Sequence, residues 1–172
     1  MELSKIAFLE TYSIENNGGI MGAILVTDAE TKPLEFRVTA PIKTTNFQKT
    51  LYGDVLLEHI LVELISVPLI SAINEEIDLI LVRDGLFLGA NNKQGTRLVR
   101  ISKEEEPRSG KSAESFSQNG SKIFVETSKK YEGELPEIKD KLNSIAESRN
   151  LIEPFDRLKI ACEQVHLQKT GE

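Results

Sequence analysis

One cysteine and two histidines in 172 residues close off several chemistries at the outset. Cys162 has no second thiol to pair with, and it lies on the apolar stripe of a predicted helix, where a thiol packs as a small hydrophobe. His59 and His166 stand far apart with no ligand spacing around them, so no zinc site is spelled out. His59, between Glu58 and Ile60, reads as a surface or hydrogen-bonded residue. No Gly-x-Ser-x-Gly element presents a serine nucleophile on a tight turn. Met-Glu-Leu-Ser-Lys lacks the basic and apolar regions of a secretion signal. The apolar stretch over residues 64–73 is broken by Ser66, Pro68 and Ser71, short of the roughly 18 residues that cross a bilayer. A cytoplasmic location is therefore expected, and the sequon Asn119-Gly120-Ser121 is incidental there.

Phosphate chemistry is also thinly supplied. The formal net charge of −6 disfavours broad binding to a phosphate backbone. Gly110-Lys111-Ser112 resembles the end of a P-loop, but Glu105 stands where that loop needs its first glycine. A carboxylate there repels phosphate. Gly18, Gly19 and Gly22 do not make a dinucleotide fingerprint and read as turn and close-packing residues.

What is present is a mixed α/β (α+β) pattern. Residues 6–12 and 20–27 read as strands around the turn Glu15 to Gly19. Residues 34–40 alternate, with Leu34, Phe36, Val38 and Ala40 inward and Glu35, Arg37 and Thr39 outward. The three make an antiparallel meander. Thr45-Asn46-Phe47-Gln48 fits a capping box that opens a long helix. Its apolar residues include Leu56, Leu57, Ile60, Leu61, Leu64 and Val67, with Val55 and Val62 on another side, so more than one face should be covered. Residues 77–82 form a near-continuous apolar run, the mark of a strand buried on both faces and parallel to its neighbour. Weaker strands are expected over 86–88, 97–101 and 122–127, with a flexible loop or linker over 102–121. A C-terminal helical hairpin follows, with Leu135, Ile138, Leu142 and Ile145 on one stripe and Phe155, Leu158, Cys162 and Val165 on the other. The expected organisation is an α/β core over 1–101, the linker, and the strand with the helical hairpin over 122–172, part of the same domain.

Two clusters carry candidate chemistry. The order of three antiparallel strands, a helix and a buried strand matches ribonuclease H-like architecture, which places carboxylates on strand one, the first helix and the end of strand four. Glu10, Glu58 or Glu63, and Asp84 stand in those places. Asp78-Leu-Ile-Leu-Val-Arg-Asp84-Gly85 resembles the strand ending of endonuclease V enzymes. That resemblance implies Mg²⁺ held by carboxylates and a nucleic-acid substrate. Strand one lacks the aspartate usual in that family, and Arg83 is placed to pair with Asp84. The second cluster is Arg37, Lys43, Lys49 and Tyr52 at the strand-to-helix junction, where a helix start also favours anions.

With no motif complete, the leading expectation is a non-enzymatic cytoplasmic protein-binding module without cofactor. It would act as a small subunit of an assembly or as a homo-oligomer, docking through uncovered apolar helix surface. The alternative is a metal-dependent nuclease of ribonuclease H-like architecture.

Overall fold

A computed structural model describes residues 2–108 and 114–169. Seven strands form one mixed sheet in the order β3-β2-β1-β4-β5-β7-β6. The strands β1 (Lys5–Ile14), β2 (Gly19–Asp28) and β3 (Pro33–Val38) make the expected antiparallel meander. Asn16 and Asn17 take the left-handed backbone that the first turn requires. β4 (Leu79–Val82) runs parallel beside β1, and β5 (Leu98–Lys103) parallel beside β4. β7 (Ser121–Thr127) and β6 (Glu114–Gln118) close the sheet as an antiparallel hairpin.

The start of the parallel pair is clamped by one carboxylate. Asp78 Oδ2 accepts from the Ser4 amide, the Ser4 hydroxyl and the Lys5 amide, at 3.0, 3.1 and 3.0 Å. Ile6 to Leu9 face Leu79 to Val82 in register, and all eight residues are fully buried. Apolar side chains on both sheet faces fit a strand covered on both sides.

Two helical layers provide that cover. One begins at α1 (Asn46–Tyr52), capped as the sequence predicts: Gln48 N donates to Thr45 Oγ1 at 3.1 Å and Thr45 N donates to Gln48 Oε1 at 2.9 Å. A 3₁₀ turn (Gly53–Val55), α2 (Leu56–His59), a π-helical turn (Ile60–Ser66) and α3 (Val67–Ala72) continue it. Ile60, Leu61, Ile65 and Leu69 pack with Ala7, Leu9, Ile24 and Val82. The π-helical turn leaves the Leu61 carbonyl to the Ser66 hydroxyl at 2.7 Å. The other layer is α4 (Leu135–Ala146) and α5 (Glu153–Lys169), whose predicted stripes, Val165 apart, join Ile6, Phe8 and Val125 in the second core.

The helical hairpin closes its own sheet. Several expectations are corrected. The long helix is covered on one side only: residues 46–59 contribute nothing buried, and Phe47, Leu51 and Val55 are exposed. The continuous stretch Asn46–Ala72 is long and apolar enough to cross a membrane by length and composition, although its second half is built into the core. Leu34 and Phe36 have the predicted alternation but lie on an edge strand and stay exposed. Residues 86–88 sit in a 3₁₀ segment (Gly85–Asn92), because Asp84 caps it through Leu86 N at 2.9 Å. The expected loop over 102–121 contains β6, and Asn119-Gly120 is a hairpin turn with both residues at positive φ. Gly110-Lys111-Ser112 lies outside the described residues.

Gly22 is where the helix approaches the sheet most closely. A Cβ there would stand 2.3 Å from Ile65 Cγ2, and Ile65 is fully buried. Gly22→Ala should therefore cost about 1–3 kcal/mol in urea unfolding. Pairing it with Ile65→Val should give less than the summed loss of the two single changes. A neutral Gly22→Ala would show that this approach is not tight.

Candidate active site

The apolar runs of β1 and β4 end together. Leu9 pairs with Val82, so the next residues, Glu10 and Arg83-Asp84, emerge side by side at the carboxyl edge of two parallel strands. In open α/β sheets that edge is where ligands bind. Glu10 follows Phe8 by two residues and shares its side of β1, beneath α5.

Glu10 is 9 % exposed and makes no ion pair among the described residues. Its Oε1 accepts from the Thr11 amide at 3.0 Å. Burial pushes its carboxyl above the ordinary range. The Thr11 amide, Lys159 and Arg83 pull it back, and Asp84 adds to the rise. A buried acid kept without an ionic partner is costly to folding, which makes Glu10 a candidate functional residue. Cys162 feels the same charge: burial first, then Glu10, pushes the thiol up to about 11, so it stays protonated and packed as expected.

Arg83 does not take Asp84. Its Nη2 donates to Glu106 Oε1 at 2.6 Å and its Nη1 to the Ile101 carbonyl at 3.0 Å. Glu106 also accepts from the Lys103 amide at 2.7 Å. Burial would raise the Glu106 carboxyl, but that amide and the guanidinium outweigh it and hold it low. Arg100 donates to Glu126 at 2.6 Å, to the Arg83 carbonyl at 2.9 Å and to the Pro107 carbonyl at 3.0 Å. These two arginines fix the turn after β5 against the end of β4. The sequence reading missed Arg100, Glu106 and Glu126, since a charge at a strand end carries no spacing signal.

The other predicted residues lie elsewhere. A Cβ at Gly89 would stand 3.8 Å from Glu58 Oε1, and Glu63 pairs with Lys93 at 3.4 Å. Tyr52 stacks on His59 with ring centroids 4.6 Å apart. Tyr52, Glu58, His59 and Lys93 line one open cleft of about 450 Å³ between the long helix and the 3₁₀ segment. Arg37 Nε donates to Glu35 at 2.8 Å, and Glu35 also accepts from the Asn74 and Glu75 amides. Arg37 thus braces the end of α3. Lys43 borders the Gly19 turn, and Lys49 lies in the last turn of α1. The four residues Arg37, Lys43, Lys49 and Tyr52 are divided among these separate contacts.

No protein-family model and no curated protein matches the chain. Solved structures do. An endonuclease V from Streptomyces avermitilis superposes with a TM-score of 0.64 at 12 % identity, over 99 % of this chain and 86 % of that one. An endonuclease V from Bacillus subtilis gives 0.58 at 13 % identity, over 98 % and 81 %. The chain shares its fold with these two endonuclease V structures. This finding overturns the expectation of a non-enzymatic protein-binding module or complex subunit. The hairpin is spent on the protein's own core.

The raised Glu10 value sets a pH signature. Below its unfolded value Glu10 is protonated in both states, and its contribution to stability is complete. That contribution is lost as pH rises through the higher folded value. In metal-free buffer, Glu10→Gln should gain stability over the original protein as pH goes from 4 towards neutral, measured by urea unfolding. A difference that stays constant with pH would show that Glu10 ionises as easily in the fold as in the open chain.

Proposed function

We propose that this chain is a metal-dependent nuclease of ribonuclease H-like architecture, with Glu10 and Asp84 as its ion-holding carboxylates. One observation carries the reading: a buried carboxylate without ionic partner, Glu10, lies across from Arg83 and one residue from Asp84, at the joint end of β1 and β4. The shared fold with two endonuclease V structures supports it.

The donor set fits one hard cation. Among the described residues no group of three His, Cys, Asp or Glu surrounds a common point, so a two-ion clamp is not spelled out. Mg²⁺ needs only one or two carboxylates when water and substrate phosphate complete its shell. When bound, such an ion supplies Lewis-acid polarisation of the phosphate and a more acidic water. The chain's own residues do the rest. Asp84 Oδ1 is fixed by the Leu86 amide, which orients the carboxylate and leaves its second oxygen for the ion. Glu106 holds Arg83 away from Asp84 and so keeps that oxygen available. Burial makes Glu10 a carboxylate that gains from a cation. Nucleic acid is the substrate class, bound at the carboxyl edge of β1, β4 and β5.

The purified protein should cut DNA or RNA oligonucleotides in Mg²⁺ and stop when the ion is chelated. Asp84→Asn and Glu10→Gln should each lower the rate by at least about 10²-fold, the loss expected when one electrostatic contact to the transition state goes. Cleavage that survives both substitutions would put the reaction elsewhere in the fold.

A further inference from the structure

We propose that Lys159, on α5, contacts the reacting phosphate and supplies the positive charge that one metal ion leaves missing. The inference rests on the nuclease reading above.

The charge balance poses the problem. Two carboxylates neutralise one divalent ion, so the anionic phosphodiester, which gains charge in the transition state, has no cation of its own. Protein donors commonly meet that demand in phosphoryl transfer. The nearby arginines are already committed. Arg83 is held by Glu106 and a carbonyl, and Arg100 by Glu126 and two carbonyls. Arg108 lies over the Phe124 ring at 3.6 Å and donates to the Glu104 carbonyl at 3.1 Å. Lys159 is exposed and makes neither an ion pair nor a hydrogen bond among the described residues.

Its place follows from how α5 docks. Phe155 meets Phe8 edge-to-face with centroids 5.4 Å apart, and Phe8 precedes Glu10 by two residues on the same face of β1. Further along the helix, Cys162 is buried in the same core as Phe8. Lys159 falls between these anchors, one turn after Phe155 and just under one before Cys162, so it shares their side of the helix. Its flexible stem lets the ammonium reach over the Glu10 edge while Phe155, Leu158 and Cys162 stay buried.

The test compares Lys159→Ala and Lys159→Arg with the original protein on one single-stranded DNA oligonucleotide. In metal-free buffer, the slope of log affinity against log salt should become shallower by about 0.7 in Lys159→Ala, one phosphate contact on a single strand. Lys159→Arg should keep the slope. In Mg²⁺, kcat should fall by about 10²-fold in Lys159→Ala and recover substantially in Lys159→Arg, with Tm unchanged in both. If Lys159→Ala matches the original protein in both slope and kcat while Asp84→Asn is inactive, the Lys159 assignment is wrong and the carboxylate reading stands. An original protein that neither binds nor cuts the oligonucleotide overturns both.

Discussion

Residues 6–9 and 79–82 lie in the middle of the sheet with helices on both sides, and that position allows no polar side chain in either run. Each strand is apolar on both faces because each face meets a different layer. The in-register parallel pairing then makes both apolar runs stop at the same level. Polar groups return together at that point, on neighbouring strands, along one edge. The adjacency of Glu10 and Arg83, the residue before Asp84, thus follows from the packing of the core.

The surroundings of that edge occupy its arginines. Arg83 follows directly from a core strand and lies across from Glu10. Glu106, anchored by the Lys103 amide, takes its guanidinium. Arg100 and Glu126 form a second pair deep in the same corner, with side chains 14 % and 6 % exposed. Pairs this buried gain stability only through good geometry and additional hydrogen bonds, and Arg100 has them from two carbonyls. Their contribution here is placement, holding the turn after β5 against the end of β4.

Much of this fold can be read in the chain itself. The apolar run before Arg83 names a doubly covered strand, the capping box names the helix start, and both hairpin stripes find the sheet. The edges are less legible. β6 is a serine-rich segment whose only large apolar residue is Phe116, and its docking depends on Gln118, which donates to the Ala146 carbonyl and accepts from the Leu151 amide. An amide side chain anchoring an edge strand leaves no periodic trace. Leu86-Phe87-Leu88 suits a strand or a turn equally, and only the Asp84 cap decides. For the proposed site, the sequence offers Glu10, Glu58 and Asp84 at strand and helix ends, and Glu58 lies towards Gly89. Lys159 had no signal of its own, because a lysine on an amphipathic helix is what any solvated face shows.

The parallel pairing of β1 with β4 also bears on how the chain reaches its native state. It joins residues roughly 70 positions apart, whereas the β1–β2–β3 meander needs only short loops to close. Closing the longer loop costs entropy before any contact between the two strands repays it. The meander is therefore suited to form early, and the site edge waits on a pairing of longer range.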